Sequence, residues 1–261
     1  MNRLNTIQYE KAHADIFCFD NDTAVKEYHA IIHVDDATMD FPQQLQAIMD
    51  AYSTLVENTL HGARCIFKRY FLSDSANQED EVAAADMTDC AKSIIQQAPL
   101  DGTKVALWVY LMTDVQTGIG QSGLYEVRHG AYRHLWSGSA HNMATNSEYQ
   151  TRLLFNEYNL QLIQGLTAKT HFIASTGIGG RQADPNVLTQ LDTYAVAGIE
   201  KEQVAYLYAP THLNRTSEYG VSFERGTMVD YGDRRQVFIS GTASIDNKGQ
   251  IVYPKDRSDE R

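Results

Sequence analysis

Between residues 103 and 112, Val105, Leu107, Val109 and Leu111 alternate with positions that include Trp108 and Tyr110. Successive side chains of a strand point to opposite faces, so this stretch is a strand with an aliphatic face and an aromatic one. Its aliphatic face needs apolar cover, and the chain upstream supplies candidates. Apolar groups around the polar break Asn21-Asp22-Thr23 predict two strands, residues 15–19 and 26–34. Asp40 is placed to cap a helix whose first turn holds Pro42. Phe41, Leu45, Ile48, Met49, Tyr52, Leu55 and Val56 form one helical stripe, and Gly62 closes it. Residues 64–72 alternate as a half-buried strand, and a second helix is expected from near Asn77. The order strand, strand, helix, strand, helix, strand fits an α+β fold. In it the 64–72 and 103–112 strands share one sheet, and the helices cover one face.

The pattern then restarts. Residues 124–127 and 132–136 read as a hairpin around His129-Gly130, and Asn146 caps a helix reaching Gln164 with a stripe of Leu154, Phe155, Tyr158 and Leu162. Hairpin followed by helix therefore occurs twice, an internal repeat. Beyond it the expectations are a strand at 171–175, a short helix at 186–197 closed near Gly198, a strand at 204–208 and a last hairpin from near Ser222. Gly118-Ile119-Gly120-Gln121-Ser122-Gly123 has dinucleotide-loop spacing, but a strand pattern follows where the cofactor needs a helix N-terminus. It reads as a linker between repeats. His129, His134 and His141 form no recognised ligand set, and the five-residue spacing puts the first two on opposite strand faces. No metal and no cofactor is expected.

Near the end, Gln236-Val237-Phe238-Ile239 reads as a buried strand that gives way to small residues, Ser240-Gly241-Thr242-Ala243-Ser244. Such a run admits a ligand or another backbone at close range. Asp246 to Gly249 then turns into a short strand at 251–253.

This run resembles the RidA/YjgF-type domain of chorismatases and of the longer multi-domain RidA-like proteins. So do Tyr219-Gly220, Phe223-Glu224-Arg225-Gly226 and Ile173-Ala174-Ser175-Thr176-Gly177-Ile178-Gly179-Gly180. The resemblance is most specific from His171 to Asp256. Upstream it rests on element order and on Phe71-Leu72-Ser73-Asp74 with Asn77-Gln78. It implies tandem RidA-like units: 1–116, a shortened 122–210, and the start of a third at 217–256, with 257–261 as tail. It also implies a cleft for a small carboxylate-bearing metabolite and chemistry of the imine-deaminase or chorismatase type. A homo-oligomer, or a pseudo-trimer of repeats, is the assembly it suggests.

By the same resemblance, Tyr219 and Arg225 line the pocket, joined by the hydroxyls of Ser240, Thr242 and Ser244. Arg225 would hold a carboxylate in a bidentate fork. Thr176 to Arg181 is open to two readings, a tight turn or a nest of N–H groups that binds a carboxylate beside Arg181. The sequence also departs from the family. The strand bearing Arg-Thr-Trp is missing, Asp246 stands near the place of the family's glutamate but at a different spacing, and no late arginine of the deaminase kind follows. A non-catalytic binding or assembly protein that keeps the fold is therefore the second functional reading.

Charge and cysteine usage narrow the partners. The chain of 261 residues carries a net charge of −11, against nucleic-acid binding and against the endoribonuclease activity attached to some domains of this kind. No apolar run approaches a membrane span. Cys18, Cys65 and Cys90 are far apart in sequence and odd in number, which reads as a reduced, cytoplasmic protein.

Overall fold

The structure is a computed structural model that describes residues 3–165, 174, 176–177, 179–213, 223–241, 246–248, 250 and 252. The chain divides into two units: Met1–Thr167 with Gly180–Gly198, and Ala168–Gly179 with Ile199–Arg261.

Unit 1 opens with β1 (Arg3–Gln8), β2 (Ala12–Phe19), β3 (Glu27–Val34), α1 (Phe41–Asn58), β4 (Arg64–Leu72), α2 (Ser75–Ala85), β5 (Ala91–Gln96) and β6 (Val105–Met112). The strands form one sheet in the order β1-β2-β3-β6-β4-β5, antiparallel except for β4 with β5. The expected sheet is therefore present, with β6 between β3 and β4. β1 and β5 escaped the sequence reading. Both are edge strands, short and polar, so they carry little apolar signal.

α1 begins where Asp40 predicts. Its carboxylate accepts from the Gln43 N–H, and the Gln43 side chain accepts from the Asp40 N–H, a reciprocal capping box with Pro42 in the first turn. Leu45, Ile48, Ala51, Tyr52 and Leu55 then meet Ala14, Ala30, Ile32, Val105, Leu107, Val109 and Leu111 in the main core. Gln44 is fully buried among them and satisfied: its amide donates to Met39 O at 3.0 Å, and its carbonyl accepts from the Lys104 N–H at 2.7 Å.

One charged group sits inside this core. Lys68 on β4 is 0% exposed, and its Nζ lies 2.9 Å from Asp86 Oδ1, 2.9 Å from Thr88 Oγ1 and 3.6 Å from the Tyr52 ring centroid. Tyr70 donates to the other Asp86 oxygen at 2.9 Å, and Lys92 reaches the Asp86 carbonyl at 2.6 Å. Asp86 is the C-cap of α2, so this network ties the helix, β4 and the edge strand β5 at one point.

The opposite sheet face carries Phe67, Tyr110 and Met112, and it meets Tyr125 and Val127 of a second sheet. That sheet contains β7 (Gln116–Ile119), β8 (Tyr125–His129), β9 (Tyr132–His141) and β10 (Gln190–Ala197), in the order β10-β9-β8-β7. α3 (Ser147–Gly165) starts from the expected Asn146 cap, whose side chain accepts from the Tyr149 N–H. Leu154 of its stripe is buried, whereas Phe155 is exposed.

Three expectations fail in this region. Residues 186–197 are not a helix: Gln190–Ala197 is β10, paired antiparallel with β9. Thr193, Tyr194 and Val196 favour a strand, and the free edge of β9 supplies the partner. Gly118 and Ile119 do not belong to a linker but to β7, which turns into β8 through Gly120–Gly123. His129 and His134 are not on opposite faces: their rings stack at 5.2 Å, and His134 is buried. They lie on two strands of one hairpin. His129 pairs with Tyr132, and His134 follows Tyr132 by two.

Unit 2 holds β11 (Val204–Leu207), β12 (Gly226–Asp230) and β13 (Arg235–Ile239) in one antiparallel sheet. The last hairpin thus gains a third strand, which two-stranded pairing alone lacks. β13 is not buried as expected: Val237 and Ile239 are 49% and 77% exposed, because they share one exposed face of the strand, while Gln236 and Phe238 on the other face are half-buried. Gly241 does provide the close approach predicted for it. A Cβ there would lie 2.7 Å from Thr176 Cγ2, and its N–H donates to Thr176 Oγ1. The expected strands at 171–175 and 251–253 lie mostly outside the described residues, although Ala174 makes a parallel bridge to Glu224.

Burial raises the Asp86 pKa, but the Lys68 charge and the Thr88 and Lys68 hydrogen bonds outweigh it and hold the carboxyl below its ordinary value. A depressed carboxyl stabilises the fold above the unfolded pKa, about 4, and that stability disappears as pH falls through the folded pKa. Asp86→Ala should cost about 3–5 kcal/mol at neutral pH, because it strands a buried ammonium. It should also flatten the acid limb of a denaturant-monitored stability profile. An unchanged acid limb would remove Asp86 from the account.

Candidate functional site

In unit 2 the structure brings together two of the predicted site residues. Arg225 is 7% exposed and Ser240 is 4% exposed. The Ser240 N–H donates to the Arg225 carbonyl at 3.0 Å, and the Ser240 hydroxyl donates to the Glu224 carbonyl. The Arg225 guanidinium carbon lies 5.6 Å from the Phe223 ring centroid, as their two-residue spacing anticipates, and Arg225 has further interactions within the chain. Tyr219, Thr242 and Ser244 lie outside the described residues. Arg181 is not part of this group. It belongs to unit 1, is exposed, and its carbonyl accepts from the Gln96 N–H at the end of β5. Asp246 is occupied with its own turn: the N–H groups of Gln250 and Lys248 bond its carboxylate and lower its pKa.

A second polar group, which the sequence reading missed, lies on the aromatic face of the unit 1 sheet. Glu27 is buried on β3 and accepts from the Tyr110 hydroxyl at 2.7 Å. Two residues on, His29 stacks on Tyr110 at 4.7 Å and on Trp108 at 5.8 Å. Burial lowers the His29 pKa, and the Glu27 charge opposes that shift. Beside them Arg69 on β4 sits 5.4 Å from the Phe67 ring and 5.7 Å from the Trp108 ring. Its Nη2 donates to Asp192 of β10 at 2.6 Å, and Ser93 donates to the same oxygen at 2.6 Å. Trp136 of β9 touches Phe67 and Tyr110 and packs 4.4 Å from Tyr194. A carboxylate, an imidazole, a guanidinium and several rings thus line one face.

The signal for this group was present as the alternation Glu27, His29, Ile31, His33 against Ala30, Ile32, Val34. Only the strand register, Phe17–His29–Tyr110–Phe67 and Asp15–Ile31–Trp108–Arg69, turns that alternation into a cluster. Among the described residues no group of three or more His, Cys, Asp or Glu side chains is arranged to hold a metal ion. No helix among them is long and apolar enough to cross a membrane.

No family model and no curated protein matches the chain. Among solved structures, the crystal structure of a chorismatase is similar, with 15% sequence identity, a TM-score of 0.43, and coverage of 74% of this chain and 67% of that one. At that identity and score the likeness says nothing about a ligand or a reaction.

The His29 ring should titrate below the ordinary histidine value of about 6.5, followed by its imidazole proton resonances. Glu27→Gln removes the opposing charge and should move the midpoint further down. A midpoint at or above the ordinary value in the unsubstituted protein would contradict the burial described.

Proposed function

We propose that the protein binds a small carboxylate-bearing metabolite in unit 2, with Arg225 as the anion anchor. The observation that carries this reading is the burial of the Arg225 guanidinium against Phe223. Arg225 also has interactions within the chain, and a ligand carboxylate would add to them. Arginine suits this role, since its planar fork takes both oxygens of a carboxylate and its flat face lies on a ring. Ser240 adjoins it, and Tyr219, Thr242 and Ser244 are the proposed remainder of the pocket.

Two forms of this reading differ in chemistry. In the first the chain is a RidA-superfamily enzyme built of tandem units, an imine deaminase or a chorismatase-like hydrolase. In the second it binds its metabolite without turnover. The missing Arg-Thr-Trp strand and the different spacing of Asp246 favour the second.

Binding of chorismate and of short imino acids, measured by calorimetry, tests the site together with the melting temperature of Arg225→Ala and Arg225→Lys. With a ligand carboxylate as partner, Arg225→Ala should weaken binding about ten- to a hundredfold and leave the melting temperature nearly unchanged. Arg225→Lys should recover only part of the affinity, since it keeps the charge and loses the fork. A stable Arg225→Ala protein with undiminished binding removes Arg225 from the site, and a large fall in melting temperature assigns its partner to the chain itself. Product formation during the titration would select the enzymatic form.

A further inference from the structure

His13 on β2 and His33 on β3 are direct partners in the antiparallel register. Their neighbours Ala12, Ala14, Ile32 and Val34 turn into the helix-side core. Strand alternation therefore sends both histidines to the other face of the sheet. On that face Phe17 of β2 and Ile31 of β3 are each 40% exposed, so this part of it is open to solvent. The two imidazole rings lie 5.4 Å apart, centre to centre, with their planes 19° from parallel. Both side chains are partly exposed.

Each ring is held by a carboxylate at the same nitrogen. His13 Nδ1 lies 2.6 Å from Asp35 Oδ1, and His33 Nδ1 lies 3.3 Å from Asp101 Oδ2. An ionised carboxylate only accepts, so Nδ1 carries the proton in both rings, and the neutral ring has its lone pair on Nε2. The carboxylates are themselves fixed. The Gln8 amide donates to Asp35, and Asp101 accepts from the Thr103 N–H at 2.9 Å and from the Thr103 hydroxyl at 2.6 Å. Among the described residues, the hydrogen bonds of both rings run through Nδ1 alone. A carboxylate on Nδ1 with Nε2 left over is how a histidine is oriented as a metal ligand. The spacing agrees: two imidazoles on one tetrahedral cation, with metal–nitrogen distances of about 2.0–2.1 Å, have ring centres about 5 Å apart.

We propose that His13 and His33 form a two-histidine site for a borderline-soft divalent cation, zinc or nickel, with water in its remaining positions. Imidazole nitrogens suit these ions, whereas magnesium and calcium take oxygen. No third His, Cys, Asp or Glu among the described residues joins the pair as a ligand. A closed structural zinc site has four protein ligands, so this one is exchangeable and the fold does not depend on it. The bound cation would bridge β2 and β3, and the net charge of −11 favours its approach.

The test titrates the untagged full chain with zinc chloride in a calorimeter, with magnesium chloride as the control. The expected result is one zinc site, no magnesium binding, and a melting temperature that rises with zinc concentration. His13→Ala and His33→Ala should each abolish zinc binding and leave the metal-free melting temperature nearly unchanged. Asp35→Ala removes no ligand but frees the His13 ring, and should weaken binding about tenfold. Paramagnetic nickel should broaden the imidazole resonances of His13 and His33 before those of the other histidines. A zinc site that survives both histidine substitutions, equal binding of magnesium, or no zinc binding at all overturns the proposal. Should either histidine variant fail to fold, the nickel broadening in the unsubstituted chain decides it.

Discussion

A lysine ammonium without solvent contact, held between a carboxylate and an aromatic ring, sets the terms for unit 1. Desolvating Lys68 and Asp86 separately would cost several kcal/mol each, and their attraction repays this only with good geometry and with the remaining polar positions filled. Those positions are filled: Thr88 takes another ammonium proton, Tyr70 donates to the carboxylate, and Lys92 reaches the Asp86 carbonyl. The participants come from β4, the end of α2, the loop that follows and the start of β5. Displacing any one of them leaves another polar group unpaired in the core. The network thus specifies where α2 ends and how β5 lies beside β4. Apolar packing of α1 alone would leave both adjustable.

A bulge in β4 shapes the same neighbourhood. Cys65 and Phe67 are two apart, so an unbroken strand would direct both to one face. The register against β6 shifts between them, and Cys65 joins the helix-side core while Phe67 joins the core shared with the second sheet.

Much of unit 1 was legible because single stretches declare themselves. The 105–111 alternation, the Asp40 cap with Pro42 and the hairpin around His129-Gly130 each need only a few neighbouring residues to be read. What failed depended on pairing across the chain. Leu191, Tyr194 and Ala195 suit a helical stripe as well as a strand, and the edge of β9 decides the matter. His129 and His134 share a face because the chain reverses between them. Val237 and Ile239 look buried by composition, but they share the exposed face of β13. For the candidate site, Arg225 beside Phe223 and Ser240 could be anticipated from the two-residue spacing and from the resemblance. Glu27, His29, Trp108 and Arg69 could not, since the registers of β3 with β6 and of β6 with β4 must be known before those residues meet.

The claim that the Lys68–Asp86 pair organises unit 1 is tested most directly by a double-mutant cycle with Lys68→Met, Asp86→Leu and the double variant, each unfolded in denaturant. Each single change should cost about 3–5 kcal/mol, because it leaves one buried charge unmatched. The double variant should recover much of that loss, giving a coupling of about 1.5 kcal/mol or more. Additive losses, with no recovery in the double variant, would mean that the two charges do not depend on each other, and the account of the network would fail.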